Sequence, residues 1–155
     1  MLTRLDRLVD EIAALHSKLI LLVGPHGCGK TTLLADLANR RAVKVMNVGA
    51  ELGKRLAGLP QRQRALQANV AMRDLADEYV SGDLLLLDNI ELLFDQSLKL
   101  DPLDLLKRHA HRLRVVAAWP GELRVGRLSY AEIGHPEYQD YSLDGLVPFE
   151  IETVR

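Results

Sequence analysis

The chain has 155 residues, a length typical of one domain, with 48% apolar and 26% charged residues. These are ordinary globular values, and they exclude intrinsic disorder and a coiled-coil fibre. Because 20 Lys and Arg residues face 21 Asp and Glu residues, the net charge of -1 gives no overall attraction to nucleic acid or to an anionic membrane. The single cysteine, Cys28, excludes an internal disulfide and a multi-cysteine zinc site. With no signal-peptide pattern and no membrane-length apolar run, we expect a cytoplasmic protein.

Helices and strands alternate in the predicted first half of the chain. Apolar residues recur at helical spacing up to about residue 16, and Thr3 and Asp6 are placed as an N-cap and its return partner. The apolar run Leu19 to Val23 is typical of a strand covered on both faces. Residues 30–40 predict a helix, and residues 43–48 predict a second short strand.

The second half continues the same alternation. Gly49, Gly53 and Gly58 punctuate a polar stretch, after which Pro60 suits the first turn of a long helix to about Val80. The remaining predicted elements are a buried strand at 84–88, a helical turn at 92–94, a helix capped by Asp101 and Pro102, a strand at 115–118, a strand at 127–131 and a terminal edge strand around Pro148.

One sequence motif points to nucleotide phosphates. The motif G-x-x-x-x-G-K-[ST] matches at each required position between a buried strand and a helix, in Gly24-Pro25-His26-Gly27-Cys28-Gly29-Lys30-Thr31. Glycines in such a loop let backbone N–H groups approach an anion closely, and the following helix adds its positive end. Lys30 is expected to reach the β- and γ-phosphates, Thr31 to ligate Mg²⁺, and Thr32 to contact the α-phosphate. A structural glycine turn is the alternative.

A second motif predicts the metal side of the same site. The strand at 84–88 ends in Asp88, which would hold Mg²⁺ opposite Thr31. An amide follows at Asn89, which can hold water but cannot accept its proton. Glu91 is the alternative group for orienting the attacking water, and a solvent-facing helix charge is the other interpretation of this residue. Lys30, Asn89 and Glu91 are therefore the candidate catalytic residues.

These elements predict an α/β fold, a P-loop NTPase with three α/β/α layers and a mostly parallel sheet. We expect a single domain over residues 1–155. It would consist of a lead-in helix at 1–16, a nucleotide-binding core at 19–131, and a C-terminal turn and edge strand at 132–155.

The segments 88–94 and 129–138 together resemble the BrxF family, small P-loop proteins of type III BREX bacteriophage-exclusion systems. The resemblance covers most of the chain. The P-loop is shared by P-loop NTPases in general, and the segment that points to this particular family is Tyr-Ala-Glu followed by His-Pro-Glu-Tyr. It implies an AAA+-like, ATP- and Mg-binding component of bacterial defence. It also implies a cytoplasmic location and partners among the larger BREX proteins. Self-association is expected for a separate reason, because a nucleotide site without a lid leaves one side open for a neighbouring subunit to cover.

The chain departs from a complete AAA+ module in several ways. From the length of 155 residues we expect no C-terminal helical lid. Hydrolysing members of that class usually carry a glutamate where Asn89 stands, and a polar residue where Trp119 follows the predicted strand 115–118. Arg124 and Arg127 are candidate arginine fingers acting in trans on a neighbouring subunit, with a solvated or structural role as the alternative.

Three functions stay open at this point. The first is a weakly hydrolysing Mg-ATP switch in anti-phage defence. The second is a nucleotide-binding scaffold that does not turn over, and the third is a P-loop phosphotransferase. The basic run at 107–114 leaves DNA contact as a further option, although cations at a helix end are expected from the helix dipole alone.

Overall fold

A parallel sheet forms the centre of the protein in the computed structural model, which describes residues 1–130 and 139–151. Its strand order is β2-β3-β4-β1-β8, and each neighbouring pair runs parallel. The strands of this sheet are β1 (Leu19–Val23), β2 (Val45–Asn47), β3 (Leu84–Asp88), β4 (Arg114–Ala118) and β8 (Val147–Glu150).

Helices cover both faces of the sheet. The helices are α1 (Leu2–Glu11), α2 (Lys30–Arg41), α3 (Val48–Ala57), α4 (Gln61–Tyr79) and α5 (Pro102–Ala110), and short 3₁₀ segments lie at Ile12–Ala14, Ile90–Phe94 and Gln96–Leu98. Alternate residues of a strand point to opposite faces, so Leu19 and Leu21 pack in the core with α3, α4 and α5, whereas Ile20 and Leu22 pack with α1 and α2. The predicted three-layer α/β/α fold is confirmed.

A second, antiparallel sheet lies between β4 and β8 along the chain. It contains β5 (Leu123–Arg124), β6 (Arg127–Tyr130) and β7 (Gln139–Tyr141) in that order. The predicted strand at 127–131 therefore belongs to this small sheet. The strand that extends the central sheet is β8, so that sheet continues beyond the predicted core boundary at residue 131. The predicted edge strand is confirmed, because β8 pairs with β1 and lies at one end of the strand order.

The glycine-containing polar stretch at 49–58, for which the sequence predicted no helix, forms most of α3. Asn47 caps this helix by accepting the Ala50 N–H at 3.0 Å, and the buried Val48, Leu52 and Leu56 recur at helical spacing. Gly49 is suited to this helix because the chain packs closely there. A Cβ on Gly49 would lie 2.6 Å from Nδ2 of Asn89.

The predicted start of α1 is also wrong. Its N-cap is Met1, without a side-chain cap, and the carboxylate of Asp6 instead accepts a hydrogen bond from Nε of Arg41 at 2.7 Å. Pairing Asp6 with Arg41 joins α1 to α2, a long-range contact that sequence spacing does not reveal. The helix ends at Glu11, and one 3₁₀ turn carries the chain only to Ala14.

Helices after α5 are absent from the part of the chain that the structure describes. The same described part contains no helix with the length and apolar character needed to cross a membrane.

Candidate nucleotide site

A cleft of about 1450 Å³ opens at the carboxyl ends of β1, β3 and β4. Ligands of open α/β sheets bind at this end of the strands. Most of the residues selected from the sequence line it, namely Gly24, His26, Gly27, Gly29, Lys30, Thr31, Thr32, Asp88, Asn89, Glu91 and Arg124. Pro25 and Cys28 belong to the same loop, although they are not lining residues.

The loop between β1 and α2 has the backbone of an anion cradle. Gly27 and Gly29 have φ values of 80° and 105°, a region that residues with a Cβ rarely adopt. A Cβ on either residue would meet no atom within 4 Å, so both positions border open space. Gly29 is the N-cap of α2 and supplies no side-chain cap, which leaves the first N–H groups of the helix to other acceptors.

Gly24 is required for a different reason, namely close packing. A Cβ at this position would lie 2.7 Å from Sγ of Cys28 and 3.3 Å from the carbonyl oxygen of Ile151. The loop therefore folds back on itself directly beside the residue that follows β8.

The ammonium group of Lys30 is held at the floor of the cleft. Its Nζ donates to the carbonyl oxygen of Gly24 at 2.9 Å and to that of Trp119 at 2.8 Å. Burial lowers the pKa of Lys30, and the nearby Cys28, Glu91 and Asp88 act in the opposite direction. The amine is thus partly desolvated and faces acidic groups.

Asp88 ends β3 at the cleft, and Asn89 turns the chain away from the strand. Asn89 has φ 52° and ψ 57°, a left-handed conformation that asparagine tolerates better than most residues. Its N–H donates to Oδ1 of Asp88 at 2.9 Å, and its Nδ2 donates to Oδ1 of Asn47 at 2.9 Å. The amide of Asn89 is therefore bonded to the neighbouring strand end.

Asn47 is a cleft residue that sequence reasoning missed. It ends β2, beside β3 in the sheet, and it both caps α3 and accepts from Asn89. Its position near the end of the strand predicted at 43–48 was the available signal, since the carboxyl ends of neighbouring parallel strands meet at one edge.

Glu91 also lines the cleft, from the 3₁₀ segment after Asp88. Its side chain is exposed. Its negative charge is close enough to Lys30 to oppose the lowering of the lysine pKa by burial. The structure thus brings Lys30, Asp88 and Glu91 to one cleft.

Trp119 occupies the end of β4, between the ends of β1 and β3. Its ring is fully buried, with edge-on contacts to Phe94 and Tyr141 at centroid distances of 5.2 and 5.5 Å. The polar group that this position offers to the cleft is therefore its carbonyl oxygen, which accepts from Lys30.

The two candidate arginine fingers lie in different surroundings. Arg124 lines the cleft of its own chain and bonds Oε2 of Glu122 through Nη2 at 3.0 Å. Arg127 is not a lining residue, and its Nη2 bonds Oδ1 of Asp140 at 2.9 Å. Residues 131–138, which belong to the segment that carries the resemblance to the BrxF family, lie outside the described residues.

The basic run at 107–114 is largely neutralised by carboxylates. Arg108 pairs with Asp104, Arg112 with Asp77 and Arg114 with Asp83.

Comparison with known proteins identifies the family. Residues 20–117 match the family model described as ATPase family associated with various cellular activities (AAA), a span from β1 to β4 that includes the P-loop, Asp88 and Glu91. None of the curated proteins compared with the chain matches it significantly. The matched residues cover more than half of the chain, which therefore belongs to the AAA family of nucleotide-binding ATPases.

Proposed function

We propose that the protein binds Mg-ATP in this cleft and acts as a weakly hydrolysing molecular switch. The observation that carries the proposal is the loop before α2. Its two left-handed glycines border open space, and its lysine is held at the cleft floor, in a chain of the AAA family. Such a loop suits a polyanion because its donors are backbone N–H groups and a single ammonium.

The residues present fit a nucleotide and its metal. Gly24 to Thr32 would hold the phosphates, and the oxygen ligands for Mg²⁺ would come from Thr31 and Asp88, the hard donors that this ion prefers. Bound Mg²⁺ would neutralise phosphate charge. Lys30 already has two carbonyl partners, so phosphate oxygens would have to replace or join Gly24 and Trp119 as its acceptors.

Weak hydrolysis follows from the groups beside Asp88. Of Glu91 and Asn89, the carboxylate of Glu91 can both orient a water molecule and accept its proton. The amide of Asn89 can only orient the water. Asn89 is also bonded to Asn47, which restrains its amide. We therefore assign the water-orienting role to Glu91.

We further propose that the switch serves bacterial anti-phage defence of the BREX type, in the cytoplasm, as a self-associating partner of other BREX proteins. What supports this part is the resemblance of segments 88–94 and 129–138 to the BrxF family. Binding of ATP would alter the association of the protein with itself or with those partners.

A nucleotide-binding scaffold without turnover is the second candidate function. It is favoured by the hydrogen bond between Asn89 and Asn47, and by the carbonyl oxygen that Trp119 offers where hydrolysing relatives use a polar side chain.

Steady-state phosphate release from Mg-ATP tests the first candidate against the second. The Lys30→Ala variant, which lacks the cleft ammonium, is the control. Release clearly above that control supports the switch with turnover, and release equal to it, with ATP still bound, supports the scaffold. Native mass spectrometry with and without ATP then tests self-association, and an unchanged mass distribution would contradict the switching part.

A further inference from the structure

The small sheet supplies one wall of the candidate nucleotide cleft. The lining residues from this region are Pro120, Gly121, Glu122, Arg124, Ser129 and Tyr130. The wall belongs to the same chain as the P-loop and gives the cleft a second cation, Arg124, in addition to Lys30.

This wall is firmly built. The Ser129 N–H donates to the carbonyl oxygen of Glu122 at 2.8 Å, and Nε1 of the buried Trp119 donates to the carbonyl oxygen of Ser129 at 2.8 Å. A Cβ on Gly121 would lie 1.7 Å from that oxygen, so only glycine allows so close an approach. The ring of Tyr130 stacks on Phe94 at a centroid distance of 3.9 Å. Glu122 and Arg124 thus extend from a fixed backbone.

The ion pair of Arg124 with Glu122 is of a kind in which another anion can easily replace the carboxylate. Both Nε and Nη2 bond one carboxylate oxygen of Glu122, at 3.2 and 3.0 Å, and the two side chains are 51% and 39% exposed. Exposed ion pairs contribute little to stability. A phosphate group carries more charge and matches the planar guanidinium fork, so it competes well with a single carboxylate oxygen.

Arg127 provides an internal comparison. It lies directly opposite Arg124 in the β5–β6 pair and is exposed to a similar degree, 52%. Its guanidinium bonds Asp140 on β7, and it does not line the cleft. The two arginines therefore share a hairpin and a similar exposure but differ in access to the site.

We infer that Arg124 binds the phosphates of the nucleotide held by its own chain, exchanging Glu122 for a phosphate oxygen. This inference rests on the proposed function. The small sheet would then cover the nucleotide from one side. The arginine would act in cis, whereas the sequence alone suggested that it acts in trans.

Equilibrium binding of Mg-ATP to the full chain tests the inference. Arg124→Ala should weaken binding by about tenfold, the effect expected from loss of a charge-assisted hydrogen bond. Arg127→Ala should bind as the parent does. Glu122→Gln should bind ATP more tightly than the parent, because the competing carboxylate is gone. Circular dichroism melting of each variant verifies that the exposed substitutions leave the fold intact.

Mixing two variants separates an arginine in cis from one in trans. Arg124→Ala retains the P-loop, and Lys30→Ala retains Arg124 while lacking the cleft ammonium. If the arginine acts in cis, adding Lys30→Ala protein will not restore the ATP affinity of Arg124→Ala. Restoration in the mixture would overturn the inference and place the arginine on a neighbouring subunit.

The remaining outcomes are also distinguishable. If the parent binds ATP and Arg124→Ala binds it equally well, this inference is wrong and the proposed function stands. If the parent binds no ATP at millimolar concentration, the proposed function fails and the inference fails with it.

Discussion

The backbone conformation at position 89 explains why an asparagine is found there, and this asparagine in turn limits the chemistry of the cleft. Its left-handed backbone, the N–H bond to Asp88 and the amide bond to Asn47 fix the turn that leaves β3. A glutamate here would have to adopt the same left-handed backbone and would lose the amide donor to Asn47. The side chain that could act as a base is therefore found two residues later, at Glu91.

Replacing Glu91 with glutamine tests its proposed role in turnover. The change is nearly isosteric and spares Lys30, Thr31 and Asp88, so ATP binding should be kept. Phosphate release should fall by about 100-fold or more, because the amide cannot accept a proton. Single-turnover measurement of the bound nucleotide should find it trapped as ATP. Parental turnover in Glu91→Gln, with the parent clearly active, would move the role to Asn89 or to another chain.

Two substitutions of Asn89 separate its backbone role from its hydrogen bond. Asn89→Ala loses the bond to Asn47 and places an alanine at φ 52°, which should cost about 2 kcal/mol of unfolding free energy. Asn89→Gly loses the same bond but adopts that φ without a Cβ clash, so it should cost about half as much. Urea denaturation measures both, and equal losses would contradict the backbone argument.

At the scale of elements, periodicity predicted the sheet strands and α4 closely, because buried apolar runs and caps are local signals. It did not predict α3, where Gly49 and Gly53 interrupt a polar stretch. The reason for Gly49 is its close approach to Asn89, forty residues away. The small sheet was missed for a related reason, since its short strands pair on either side of β6 and pack on Phe94 and Trp119.

The turn between β5 and β6 contains an unfavourable residue that can be improved. Val125 is fully exposed and has φ 49°, a genuine outlier for a β-branched side chain, and it precedes Gly126 at φ 72°. Two positive φ values are typical of a type I′ turn, which favours Asn-Gly. Val125→Asn should therefore stabilise the hairpin by about 0.5–1 kcal/mol.

Hydrogen exchange of the β5 and β6 amides, together with thermal denaturation, measures this effect. Leu66→Asn is the matched control, because Leu66 is also exposed but lies within α4. Slower exchange in Val125→Asn alone supports the turn argument. Equal stabilisation by both substitutions would instead attribute the gain to removal of an exposed apolar group.

At the scale of the whole molecule, the sequence predicted the three-layer architecture and most of the cleft. The motif residues form two short continuous segments, 24–32 and 88–91, so the spacing within each segment reveals them. Asn47 and the assignment of Arg124 to its own cleft depend on strand order and on the second sheet, which local sequence patterns do not specify.

The ion pair between Asp83 and Arg114 should contribute to the fall in stability at acid pH. Hydrogen bonds from Arg114 lower the pKa of Asp83 below its ordinary value of 3.8. The ionised carboxylate therefore contributes stability that is present above that value and is lost as the pH falls through the lower folded pKa. Asp83→Asn should cost about 0.5–1 kcal/mol near pH 7, a figure reduced for solvent screening, and the difference from the parent should disappear near pH 2.

Chemical denaturation at several pH values measures this contribution. Asp77→Asn is the control, because the pair of Asp77 with Arg112 is longer, at 3.5 Å, and more exposed. A constant difference between Asp83→Asn and the parent from about pH 2 to pH 7 would contradict the linkage argument.

Thermal denaturation with and without Mg-ATP tests the central claim, nucleotide binding at the P-loop, most directly. A ligand at about 100 times its Kd stabilises the native state by about 2.7 kcal/mol. For a domain of this size the Tm should rise by about 5–10 °C. We expect this rise in the parent and its loss in Lys30→Ala. An unchanged Tm of the parent at millimolar Mg-ATP, or an equal rise in Lys30→Ala, would contradict the assignment of the cleft as the nucleotide site.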